Sequence, residues 1–273
     1  GEIFRREAFV GGGQTLKVQA TPGARWSRFS FNFLEPDLFG DHIDRTAFSL
    51  SASRGYRFLK SHEEDRRSYR PSLSRNFGRW MSIYLAPDVG RMTLVNPGAS
   101  PPDFVEDAEG AHDVNSLTFG ARWNTIDDAF SDRKGLRANF SLAQFGKWMG
   151  GEYDFLRPTL DFGGYFPLWE DSQGRAWSLV FEGTARRSLA QGDLASIPYL
   201  ERFWLGGHSG HGQLRGFDYR GASDVQSGFP LGGDSSWRSS LELRFPLSST
   251  RRREVVEEYE WVRGAFFVDS GAL

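Results

Sequence analysis

The nearest approach to an enzyme signature is Gly207-His208-Ser209-Gly210-His211, one residue short of the G-x-S-x-G elbow that carries a nucleophilic serine. His211 stands where the elbow needs glycine, and no strand-to-helix turn surrounds it. His208 and His211 could offer two imidazoles to a metal, but two ligands on a glycine loop without a third do not make a zinc site. Gly210-x-Gly212 fails as a dinucleotide fingerprint, because Arg215 takes the third glycine's place and no βαβ unit follows. Asp127-Asp128 and the acidic run Asp103 to Asp113 read as exposed loops with nothing to single out calcium, and Glu63 to Arg67 as a solvated charged turn. No residue set points to catalysis, so the expectation is a protein that is not an enzyme and uses neither cofactor nor metal. One group stands out from this inventory. In Leu214-Arg215-Gly216-Phe217 a glycine beside an arginine and an aromatic predicts a tight turn that presents two specific side chains.

The segment around that arginine is unusual in itself. Leu189 to Ser236 spans 48 residues and holds ten glycines. Connections beyond about 12–15 residues are functional or disordered in most domains. Elsewhere the chain alternates with a period of two: Phe29, Phe31 and Phe33 against Arg28, Ser30 and Asn32, or Leu117, Phe119, Ala121 and Trp123 against Thr118, Gly120 and Arg122. Such alternation gives a strand one apolar and one polar face. About eleven strands are predicted, starting near Gln14, Trp26, Thr46, Ser68, Trp80, Asn115, Leu136, Tyr153, Trp177, Trp237 and Trp261. Most run about 8–12 residues, against about 9–11 for a tilted strand that crosses a bilayer. Short turns (Asp132 to Gly135, Gly150-Gly151, Asp171 to Gly174) alternate with long connections, Asn96 to Asp113 and Leu189 to Ser236.

Composition fits a chain with one wet and one greasy strand face. Only 39% of the 273 residues are hydrophobic and mean hydropathy is −0.49, yet 15% are aromatic, with 24 Phe and 9 Trp. No stretch approaches the about 18 apolar residues of a membrane-spanning helix, and the aromatic content argues against disorder. A formal charge of −2 lacks the basic excess of a nucleic-acid binder. There are no cysteines, which excludes disulfides and thiolate chemistry. Alternation alone leaves open which face is wet, and a soluble β-sandwich or lectin-like barrel would show it too. Arg122, Arg137, Arg157, Glu182, Arg186, Glu242 and Arg244 on the polar faces suit a hydrated lumen, and tryptophans recur at strand ends, as in an interfacial girdle. The fold class read from these features is all-β, an antiparallel transmembrane β-barrel.

Several motifs together make the reading more specific. PYLERFWLGG, LRGFDYRG, PLGG, SSLELRFPL and RGAFFVDSGAL follow in order, preceded by GGGQTL and FSFNFLEPDLFG. This series resembles the C-terminal barrel of the BamA-type outer-membrane protein assembly factors, the bacterial surface antigen family, which also takes in TamA-like and two-partner secretion transporters. The resemblance implies a 16-stranded barrel with a weak seam between first and last strands, of which this chain would hold about eleven strands. It implies residence in the outer membrane of Gram-negative bacteria and insertion of unfolded outer-membrane proteins into the lipid bilayer without an energy source or cofactor. Periplasmic assembly lipoproteins would be further partners, through upstream domains. Residues 1–10 are then expected to be a remnant of a preceding periplasmic domain, and 11–273 a partial barrel with a lumen-directed loop at 189–236. The alternatives are a two-partner-type pore that passes a polypeptide through its lumen, and a soluble β-sheet binding protein. The family's loop motif maps onto Leu214, Arg215, Gly216 and Phe217, and implies that Arg215 contacts the inner wall.

An arginine inside a barrel needs carboxylate partners. In Trp237 to Leu247 parity turns Arg238, Ser240, Glu242 and Arg244 inward, and in Val262 to Asp269 it turns Arg263, Phe267 and Asp269 inward. Arg215 is therefore predicted within salt-bridge reach of Glu242, Asp269 or both.

Overall fold

The computed structural model describes residues 13–40, 44–59, 61–96, 101–126, 134–170, 176–207, 212–251 and 258–273. Within them lie fifteen strands: β1 (Thr15–Thr21), β2 (Trp26–Glu35), β3 (Thr46–Phe58), β4 (Glu63–Phe77), β5 (Met81–Val95), β6 (Gly110–Asp113), β7 (Ser116–Asn124), β8 (Gly135–Phe145), β9 (Phe155–Glu170), β10 (Ala176–Arg187), β11 (Leu189–Ala190), β12 (Val225–Gln226), β13 (Phe229–Pro230), β14 (Ser235–Arg251) and β15 (Glu258–Ala272). Eleven of them form one continuous antiparallel path, β1-β2-β3-β4-β5-β7-β8-β9-β10-β14-β15, to which β6 adds on β5 and β11 on β9. Each path strand hydrogen-bonds the next in sequence, as a meander of hairpins requires. The path does not return on itself: β1 and β15 are not paired with each other, so the curved sheet is open.

Strand parity decides which face is wet. The face carrying Val18, Phe29, Leu85, Phe119, Phe140, Leu160, Leu241, Phe266 and Val268 has no protein against it, and Phe266 is 70% exposed. No second large sheet covers this face among the described residues, which removes the sandwich reading. A broad apolar surface of this kind is stable only against hydrocarbon. Around its edge Trp169, Trp177, Phe245 and Phe266 stack across β9, β10, β14 and β15 at 5.0, 5.2 and 5.2 Å between ring centres, a girdle at one membrane interface.

The compact apolar core lies elsewhere. Because hairpins alternate ends, the connections 59–62, 96–115, 146–154 and 188–234 all emerge at one end of the sheet. There Leu94, Val105, Val114, Phe155, Ile197, Tyr199, Leu200 and Phe229 bury one another in a cap. This end differs from expectation in two places. Glu63 to Arg67 is the first part of β4 rather than a solvated turn, because its charges find cross-strand partners: Arg54 donates to Asp65 at 2.8 and 3.1 Å, and Tyr56 donates to Glu63. Asp103 to Asp113 is not an open acidic loop. It forms a short helix α1 (Asp103–Glu106) that buries Val105, then β6, where Asp113 accepts from Arg91 at 2.7 and 2.9 Å. Asp127-Asp128 lies outside the described residues.

Inside the wall, Tyr84 on β5 lies across Gly120, its partner on β7, with Arg122 4.3 Å above its ring. A Cβ on Gly120 would sit 2.3 Å from the Tyr84 ring. Gly120→Ala is therefore expected to push out a buried tyrosine and lower stability by about 1–3 kcal/mol. The midpoint of urea unfolding in lipid vesicles reads this, and an unchanged midpoint would contradict the packing.

Candidate functional site

The segment between β10 and β14 is folded, not merely long. It pairs β11 with β9, turns through a 3₁₀ helix at Tyr199–Glu201, and closes a hairpin from β12 and β13. From the cap it descends along the polar face of the sheet. Gly206 and Gly207 have φ of 119° and 90°, and a Cβ at Gly206 would fall 2.2 Å from the Asp218 carbonyl oxygen. That close approach shapes the turn: Gly206 N–H donates to the Gly212 carbonyl at 2.8 Å and Gly207 N–H to the Phe217 carbonyl at 2.9 Å. Leu214 is buried at the turn's base, Gly216 sits at φ 88°, and Phe217 is exposed.

Arg215 leaves this turn toward β14 and β15. Its Nε and Nη2 donate to the two carboxylate oxygens of Asp269, both at 2.6 Å. Nη1 donates to Glu242 at 2.6 Å and Nη2 also to the Ser240 hydroxyl at 2.7 Å. The guanidinium carbon lies 3.6 Å from the centre of the Phe267 ring. Arg244 donates to the other oxygen of Glu242 at 2.7 Å, so neither carboxylate is left uncompensated. The hydrogen bond to Asp269, set against partial burial and reinforced by Glu242, raises the Arg215 pKa further above its already high ordinary value. The structure thus brings Leu214, Arg215, Gly216, Phe217, Glu242 and Asp269 into one cluster. Parity had turned Ser240 and Phe267 inward without marking them as contacts of Arg215.

Two further ties hold the same segment to the far wall. Arg220, 5% exposed and in a left-handed conformation (φ 61°), donates through Nη1 and Nη2 to Glu64 of β4 at 2.8 and 3.1 Å. His62 lies 2.9 Å from the same carboxylate, and the Trp204 ring 3.7 Å from the guanidinium. Higher in the cap, Glu201 has a side chain 1% exposed and accepts from Arg157 of β9 at 2.9 Å, with Arg66 of β4 at 3.1 Å. Arg157 also donates to the Glu201 carbonyl at 2.7 Å and to the Ser188 hydroxyl at 3.0 Å. Burial opposes ionisation of Glu201, but the two guanidinium charges prevail and hold its carboxyl below the usual range. Sequence reasoning missed Glu64, Arg220, Glu201 and His62. The readable signal was parity, which places Glu64 on the face of Arg66 and Ser68, obscured by taking this stretch for a turn.

The segment is therefore a strut across the sheet's concave side, pinned to β14 and β15 through Arg215 and to β4 and β9 through Arg220 and Glu201. These ties fix the segment to four strands, and the cap above it is buried from solvent. His208, Ser209, Gly210 and His211 lie outside the described residues, and no group of three or more His, Asp or Glu side chains could hold a metal among those described. The sequence model of the Omp85 superfamily domain matches residues 9–273.

Proposed function

The chain belongs to the Omp85 superfamily of outer-membrane β-barrel proteins, which covers protein insertion and secretion at the Gram-negative outer membrane, and from that premise we propose that it serves insertion. On this reading it helps unfolded outer-membrane proteins fold into the bilayer, without nucleotide, cofactor or enzymatic turnover. Incoming strands would pair at a sheet edge by β-augmentation, the way an exposed row of backbone donors and acceptors recruits another strand. Periplasmic assembly lipoproteins would deliver the clients through domains upstream of the barrel.

One observation carries the choice of insertion over passage through the lumen. The strut and the dry cap occupy the inner side at one end, with Leu94, Val105, Phe155 and Ile197 at 0–1% exposure and buried ion pairs on both walls. A polypeptide taking the lumen route would have to break the Glu64–Arg220 and Glu201–Arg157 pairs together. A lateral route leaves them intact.

The test is reconstitution of the full-length protein into lipid vesicles with a small barrel client held unfolded in urea. Client folding, read as the heat-modifiable gel shift, is expected to speed up several-fold over empty vesicles. No acceleration, together with protease-protected appearance of a translocated chain inside the vesicles, would replace this reading with the two-partner secretion pore.

A further inference from the structure

Charge is distributed unevenly between the inside and the outside of this sheet. The chain as a whole is slightly acidic, at −2. On the concave face, however, six arginines have no carboxylate within ion-pair distance among the described residues: Arg28, Arg57, Arg70, Arg122, Arg186 and Arg238. Arg57 meets Tyr219, Arg122 lies on the Tyr84 ring, Arg186 donates to Ser236 at 3.1 Å, and the Arg238 Nε has no acceptor. Five inward acids, Glu64, Glu182, Glu201, Glu242 and Asp269, are already held by arginines. The other inward acids are Asp88, which accepts from Ser68, and Asp161, which accepts from Asn139 and Thr184 and whose charge also acts on Arg186.

These side chains line three cavities of about 540, 470 and 630 Å³. The first shares Arg122, Asn139 and Asp161 with the second, and Arg66, Arg70, Arg157 and Arg186 with the third, so they form one connected space. Arginines outnumber the lining acids Glu64, Asp88, Asp161, Glu182 and Glu201, and a concave space with such an excess of one sign and low-dielectric walls concentrates counter-ions above their bulk level. Among the described residues, Asp103, Glu106, Asp107, Glu109 and Asp113 lie in a connection and line none of these cavities.

We propose that the lumen is an anion-attracting chamber: small anions enter and accumulate along the Arg28–Arg57–Arg70–Arg122–Arg186–Arg238 wall while cations are repelled. This is independent of whether the protein inserts or secretes clients. It assigns these six arginines, none of which is ion-paired among the described residues, a role in setting which solutes the lumen admits.

These 273 residues contain no cysteine, so a single introduced thiol allows a direct test on the protein in vesicles or micelles, any cysteine elsewhere in the protein being replaced by serine. Ser141, which lines the first cavity opposite Gly120, is changed to cysteine. Its thiolate attacks a methanethiosulfonate reagent, forming a mixed disulfide and releasing methanesulfinate. Rates are compared for the anionic sulfonatoethyl and the cationic trimethylammonioethyl reagent, each divided by its rate with free 2-mercaptoethanol. At low salt the normalised anion-to-cation ratio is expected near ten or above, to fall several-fold in Arg70→Gln/Arg122→Gln, and to approach one in 1 M KCl, where screening reaches only about 3 Å. A ratio at or below one at low salt, a ratio insensitive to salt, or no reaction with either reagent would overturn the proposal, since anions would then not be enriched at the wall. Unchanged heat-modifiable migration of the variants keeps a folding defect from imitating the result.

Discussion

Arg215→Ala is expected to free the lower half of the strut and destabilise the protein by about 2–4 kcal/mol, the range for losing charged hydrogen bonds and leaving a partly buried carboxylate without its partner. The loss falls unevenly. Glu242 retains Arg244 at 2.7 Å, whereas Asp269 loses both of the hydrogen bonds it takes from Arg215. Asp269→Asn should therefore do more damage than Glu242→Gln. Lysine cannot reproduce the fork that reaches Asp269, Glu242 and Ser240 at once, nor lie flat on Phe267, so Arg215→Lys should recover less than half of the loss. Two measurements read these effects: the unfolding midpoint, and protease cleavage within residues 212–221. If Arg215→Ala matches the wild type in both, the cluster is decorative and the strut is held by Arg220 and Glu201 alone. A double-mutant cycle between Arg215→Ala and Asp269→Asn should return a coupling of about 1–3 kcal/mol, as for residues in one ion-pair network.

The eleven strands of the path were legible because a strand's period of two is a local property. Predicted starts at Trp26, Thr46, Leu136, Trp177 and Trp237 fall within two residues of observed ones. Parity also carried further than strand limits: turning Glu242, Phe267 and Asp269 inward required only counting from Leu241 and Val268. It failed at the start of β4, where charged residues on both faces hid the alternation that their cross-strand partners sustain. Nothing local announces that Arg220 or Glu201 is buried. Glu64 and Arg220 are 156 residues apart, and their burial follows from a 48-residue segment folding back over the sheet. Burial of a charge is a tertiary property, and composition reads these residues as ordinary solvated ones. The same reason accounts for Val105, an apolar residue in an acidic run that belongs to the cap's core.

The tie at Glu201 gives the second large effect, and a pH window of its own. Glu201→Leu removes the carboxylate from between Arg157 and Arg66. Arg66 is half exposed and can turn to water, so the penalty rests on Arg157, whose side chain is 16% exposed. Breaking a buried pair from one side costs about 3–5 kcal/mol; the hydrogen bonds Arg157 keeps to the carbonyl of residue 201 and to Ser188 place this change near the lower end. An apolar pair of similar volume avoids the stranded charge, so Glu201→Leu with Arg157→Met should regain most of the loss. If the double variant is no better than the single one, the damage is steric and the ion-pair account is wrong. The pH dependence follows from the direction of the Glu201 shift. Its carboxyl titrates lower in the folded protein than the about 4.3 of an unfolded glutamate, so its contribution is complete above that value. It is lost progressively as pH falls through the folded pKa. The wild-type unfolding midpoint should therefore drop below about pH 4.3, and drop less in the Glu201→Leu/Arg157→Met double variant, which has no carboxylate at this position to protonate. Equal acid sensitivity in both proteins would locate the acid-labile tie elsewhere in the cap.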